Sequence, residues 1–138
     1  MGAAPVPAAT LRAARVLLGV AIAVSVVHYV DNFANWADYP HPPSGPDPSR
    51  AVIAGAWVVF TASALAGYVL LRRGHVTAAA LCLALYSGSG LVGLAHYTVE
   101  GATDMPWWRQ AHVLADILCG VAVLLFAVRL VRRPPVPA

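Results

Sequence analysis

Apolar and polar residues fall along this chain in long blocks, not in short periods. Apolar stretches at 16–29, 51–71, 76–95 and 111–128 are separated by segments rich in proline, glycine or charge. With their flanking residues they predict helices over about 13–31, 51–71, 76–98 and 107–130. Each reaches the roughly 20 residues that cross a hydrocarbon layer of about 30 Å. The connection "RRGH" between the second and third blocks is so short that those helices are expected to be antiparallel neighbours. The expected fold is therefore an all-α membrane protein: one domain, residues 1–138, forming an up-down bundle of four transmembrane helices.

The connection at 32–50 is of a different kind. Prolines 40, 42, 43, 46 and 48 prevent its second half from being helical, so it is expected to form a stiff cap over one end of the bundle. Trp36, Tyr39, Trp107 and Trp108 suit the headgroup boundary. Ser49 is placed to cap the second helix, and Thr103 or Asp104 with Pro106 to start the fourth. The Pro/Ala-rich tails are expected to fray.

Composition agrees with the block pattern. Of 138 residues, 59% are hydrophobic and 11% charged, and the mean hydropathy is +0.69. A soluble domain carries about 25% charged residues, so the composition excludes one. Arg12 and Arg15 before "VLLGVAIAVSVV" resemble the start of a signal peptide. The polar "HYVDN" continues that helix without a cleavage site, and the segment is read as a retained span. "MGAAPV" lacks the hydroxyl residue of a myristoylation signal.

Charge then orients the bundle. Arg12, Arg15, Arg72, Arg73, Arg129, Arg132 and Arg133 fall at the termini and the second connection, leaving Arg50 and Arg109 for the other side; there is no lysine. Both termini are thus expected to be cytoplasmic, in a bacterial-type plasma membrane. The acids Asp31, Asp38, Asp47, Glu100, Asp104 and Asp116 all lie in or beside the two outer connections. A pI near 9.2 comes from arginines that suit anionic headgroups, so the expected partner is the lipid bilayer and not nucleic acid. A homo-oligomer or a membrane partner subunit is compatible with the chain.

The ionisable residues inside the apolar blocks are the candidate chemistry. The pattern H-x-x-x-[N/D/E] occurs at His28 with Asn32, at His96 with Glu100 and at His112 with Asp116. At 100° per residue, Cys82, Ser89, Gly93, His96 and Glu100 share a sector of the third helix, while Asp116 and Cys119 flank His112 on the fourth. Counted from Trp107 and Trp108, His112 lies about 7 Å and Asp116 about 13 Å into the layer. A carboxylate at mid-span costs about 2.5–3.5 kcal/mol and needs a partner. A divalent ion would serve, because imidazole and carboxylate are its usual ligands. The predicted metal ligands are His28, His96, His112, Asp116 and Glu100, with Asp116 and Glu100 also the candidate catalytic groups. The ligand mixture suits Zn²⁺, Fe²⁺ or Mn²⁺. Asp31, Asn32, Asp38 and His41 are expected to be solvated loop residues.

Weaker signals are read as structural. "GSGLVG" has the letters of a dinucleotide fingerprint but no preceding strand, and Ser89 with Gly93 is better read as a close helix contact. Cys82 and Cys119 are read as packing residues, and the similar phrases "VVHYVDN" and "GLAHYTVEG" as either a duplication or chance. The leading functional expectation is a metal-dependent membrane enzyme acting on a lipid-like or small substrate. The alternatives are a structural or assembly subunit held by a polar network, a b-type haem module and a proton relay.

Overall fold

The computed structural model describes residues 6–45 and 47–132. It contains α1 (Ala8–Ala34), α2 (Arg50–Arg72), α3 (Val76–Leu91) and α4 (Trp107–Arg132). A 3-10 segment, Val92–Thr98, prolongs α3, so that Val76–Thr98 forms one continuous span. Four helices are long and apolar enough to cross a membrane. The helices pack in cyclic order, α1 against α2, α2 against α3, α3 against α4 and α4 against α1.

Helix α1 starts earlier and ends later than the apolar block suggests, because Ala8, Ala9 and Thr10 are helical and not frayed, and the polar "HYVDN" stays helical to Ala34. The expectations for residues 1–5, Pro46 and 133–138 lie outside the described residues. Past Asn35 the chain makes one 3-10 turn, Trp36–Asp38, and then Tyr39 buries itself beneath the loop. Ser49 caps α2 as expected, its Oγ accepting from Val52 N at 3.4 Å. The turn after α2 depends on Gly74, whose φ of 79° is the left-handed conformation that glycine adopts without strain. At α4, neither Thr103 nor Asp104 acts as the cap. Gln110 instead donates its side-chain N–H groups to the Thr103 and Met105 carbonyls at 2.9 and 2.7 Å, tying the loop to the first helical turn.

The helices are apolar inside and out. Leu83, Leu71 and Val123 are fully buried between them, while Leu81 and Leu118 on the outer faces are each 68% exposed. A helix with no polar face is built for a surrounding as apolar as its core. Two helix hydroxyls turn back on their own backbone: Ser63 Oγ donates to Phe60 O at 2.8 Å and Ser87 Oγ to Ala84 O at 2.6 Å.

Helices α3 and α4 touch backbone to backbone. A Cβ on Gly90 would collide with the carbonyl oxygen of Asp116 and come within 3.0 Å of Gly120 N, and one on Gly120 would lie 2.7 Å from Ser87 O. The expected small-residue contact therefore runs mainly through Gly90 and Gly120. Gly93 adds to it, where a Cβ would sit 3.1 Å from Ile117 Cγ1, but Ser89 turns to α1, accepting at its carbonyl from Tyr29 Oη at 3.1 Å.

Candidate functional site: a polar centre at one end of the bundle

The close approach of α3 and α4 delivers Asp116 to the middle of the bundle, where α1 presents His28. His28 Nδ1 and Asp116 Oδ2 are 2.7 Å apart, and both residues are 2% exposed. In the neutral ring that donates from Nδ1 to the Asp116 carboxylate, Nε2 is the nitrogen with the lone pair. That Nε2 is buried and has no hydrogen-bond partner among the described residues. Gly93 makes room for the ring, since a Cβ there would lie 3.6 Å from His28 Cε1.

Two further imidazoles stand beside it. The His96 and His112 ring centroids each lie 5.6 Å from that of His28. His96 Nε2 meets Asn32 Nδ2 at 3.2 Å, which ties the 3-10 end of the third span to α1. His112 Nε2 comes within 3.2 Å of Asp31 Oδ2 without the alignment of a hydrogen bond, and both its ring nitrogens are buried without one.

Asp31 is the hub of the layer above. Its Oδ2 accepts from Tyr39 Oη at 2.6 Å and from Arg109 Nε at 3.0 Å, and its Oδ1 accepts from Asn35 Nδ2 at 2.7 Å. Arg109 also donates to the Asp38 carbonyl at 3.3 Å and reaches the Asp38 carboxylate at 3.5 Å. Its guanidinium carbon lies 4.7 Å from the Tyr39 ring centre and 5.0 Å from that of Trp108. Tyr39, Arg109 and Trp108 thus roof the histidines. Burial first, and then the hydrogen bond to Asp31, push the Tyr39 phenol above its usual pKa, so it stays a donor to the carboxylate.

Of the residues singled out in the sequence, the structure brings together His28, His96, His112 and Asp116. Glu100 is not with them: α3 tightens to 3-10 geometry at Val92, which changes the angular step, and Glu100 ends in an exposed turn. Asp31 and Asn32 are the reverse correction. They lie inside the last turns of α1, Asn32 is buried, and the Asp31 side chain is 11% exposed. Asp38 does keep a side chain 65% exposed, while His41 is held by Asp47 at 3.0 Å and the Trp36 carbonyl at 3.0 Å. Cys119 is half-buried in the inner core and Cys82 half-buried on α3, and both are free thiols.

Tyr39 and Arg109 were not legible as site residues. The one signal for Arg109 was an arginine placed against the charge asymmetry, between two tryptophans and the first turn of an apolar helix. Among the described residues, no three His, Cys, Asp or Glu side chains stand in position to hold a metal ion as they are. No family model, curated protein or solved structure matches this chain.

Proposed function

We propose that this chain is a four-span membrane protein of up-down topology with both termini cytoplasmic, whose outer half binds one divalent transition-metal ion among His28, His96 and His112. The observation that carries the metal reading is His28: one ring nitrogen gripped by a buried carboxylate, the other buried without a partner, and two more imidazoles 5.6 Å away. A carboxylate behind a histidine fixes its tautomer and raises its basicity as a ligand.

The ring spacing fits a shared ion. With a metal–nitrogen bond of about 2.0–2.1 Å and the centroid about 1.1 Å beyond the nitrogen, two imidazoles on a tetrahedral ion have centroids roughly 5 Å apart. The His28–His96 and His28–His112 centroid distances of 5.6 Å are close to that value. Charge supports it as well, because Arg109 offsets Asp31, whereas among the described residues Asp116 has only His28 as partner. A cation next to His28 would offset that second buried negative charge. Zn²⁺, Fe²⁺ and Mn²⁺ all suit imidazole nitrogen. Within this reading Asp116 is a positioning residue, and Glu100 takes no part.

The test is elemental analysis of detergent-purified protein beside a His28→Ala, His112→Ala double variant, both exposed to Zn²⁺, Fe²⁺ and Mn²⁺ and then dialysed. The expected result is about one ion per wild-type chain and loss of it in the variant. Equal content in both, or none in either, overturns the metal reading.

A second reading is favoured by the lack of three converging donors: the same groups are interhelical ties, Tyr29 to Ser89, His28 to Asp116 and Asn32 to His96. It expects alanine at His28 to lower thermal stability in protein that never held an ion.

A further inference from the structure

The end of the bundle opposite the histidines carries a charge that no described residue balances. Arg12 and Arg15 sit in the first turns of α1, and Arg129 and Arg132 in the last turns of α4. Every ion pair among the described residues lies in the half of the bundle that holds the histidines, and none of these four arginines joins one. Between the same helix ends lies a cavity of about 780 Å³, lined by Thr10 and Ala13 of α1 and by Leu125, Phe126, Arg129 and Arg132 of α4, among others.

Its chemistry is split along the helix axis. Arg129 and Arg132 stand toward the helix terminus, and Leu125 and Phe126 lie one to two turns deeper. A phosphate with hydrocarbon attached matches that order: the anion meets guanidinium groups, which bind phosphate in a fork, and the chain follows the apolar wall inward. A free phosphate would use only the upper part.

We propose that this cavity is a binding site for an anionic phospholipid, with Arg129 and Arg132 on the phosphate and Leu125 and Phe126 on the first part of an acyl chain. The proposal rests on the membrane reading above and is independent of the metal. Membrane insertion is therefore checked first, by retention of the protein in alkaline-washed membranes. Failure there removes the membrane reading itself, whereas the lipid experiment assumes insertion and tests the site alone.

The experiment is native mass spectrometry of the full chain released from micelles containing phosphatidylglycerol and phosphatidylcholine in equal amounts. Wild type is expected to retain phosphatidylglycerol selectively. Arg129→Gln with Arg132→Gln is expected to lower that retention roughly 30-fold, at about 5-fold per arginine near the surface. Arg72→Gln with Arg73→Gln removes the same charge at the α2 end and is expected to leave it unchanged. Ala13→Phe keeps all the arginines and obstructs the cavity from its α1 wall, so it too should lower that retention. This variant keeps the proposal testable if the double glutamine protein does not fold. Equal retention of the two lipids by wild type, or an equal loss in the Arg72/Arg73 variant, overturns the site in favour of diffuse charge. Displacement of the lipid by millimolar inorganic phosphate overturns the lipid as its ligand.

Discussion

At the scale of single residues, the polar centre is organised by two carboxylates with different surroundings. Asp116 has one partner, His28, at 2.7 Å, whereas Asp31 has Tyr39, Asn35 and Arg109 as hydrogen-bond donors. Loss of Asp116 thus falls on one ring. Asp116→Asn should leave the fold intact and weaken metal binding by about 10- to 100-fold, the usual effect of losing the group behind a histidine ligand. Titration with Co²⁺ followed by its visible spectrum would show this, and unchanged affinity would remove Asp116 from the positioning role. Tyr39→Phe should instead cost about 1 kcal/mol of stability, one hydrogen bond to a carboxylate that keeps its other donors. The sign of the pH dependence follows from the raised phenol pKa. A group raised on folding gives its stabilisation in full below its unfolded pKa, about 10 for tyrosine, and loses it only above. The gap in thermal midpoint between Tyr39→Phe and wild type should therefore stay constant from about pH 6 to pH 9. A gap that closes within that window would mean that titration of another group controls the bond.

At the scale of elements, the sequence was legible where one helix carries its own pattern and opaque where partners come from afar. The H-x-x-x-D step puts His112 and Asp116 on one stripe of α4, and the apolar block around them forms a helix without help. Asp31 was expected to be solvated because its partners, Tyr39 and Arg109, are 8 and 78 positions away and leave no local period. Glu100 failed for the opposite reason: a regular step was extended through a segment that tightens to 3-10 geometry. The contact between α3 and α4 was visible only as a run of small residues, and which of them touch decides what each tolerates. Gly90→Ala drives a methyl into the Asp116 backbone, which cannot turn aside as a side chain can. It should cost more than the 1–3 kcal/mol of ordinary overpacking and, by moving Asp116, break the pair with His28. Gly88→Ala meets only the edge of the Phe60 ring at 3.1 Å, which can swing away, so its effect should be small. Gly55→Ala meets nothing within 4 Å and should stabilise α2 by about 0.5–1 kcal/mol. Thermal midpoints of the three variants test that order, and a Gly90→Ala protein as stable as wild type would show that the two backbones do not touch.

At the scale of the whole molecule, the two ends of the bundle differ in kind, and this difference predicts how the chain lies in a bilayer. One end holds Arg12, Arg15, Arg72, Arg73, Arg129 and Arg132 with no acid beside them. At the other end Arg109 is buried in ion pairs with Asp31 and Asp38, so the free positive charge is still more one-sided than the sequence count of arginines suggests. If arginine-rich segments stay on the cytoplasmic side, as proposed above, the proline-rich loop and the turn at 99–106 are expected outside. The prediction is read with single cysteines in a background in which Cys82 and Cys119 are serine. Ser44→Cys, in the exposed proline-rich loop, should react with a membrane-impermeant maleimide in intact cells. His75→Cys, in the exposed turn after α2, should react only after the cells are permeabilised. The reverse pattern would put the histidines in the inner half and the arginine-lined cavity on the outer face, away from the anionic lipids of the cytoplasmic leaflet. Labelling of both positions in intact cells would mean that the chain does not cross the membrane in the order its four apolar helices imply.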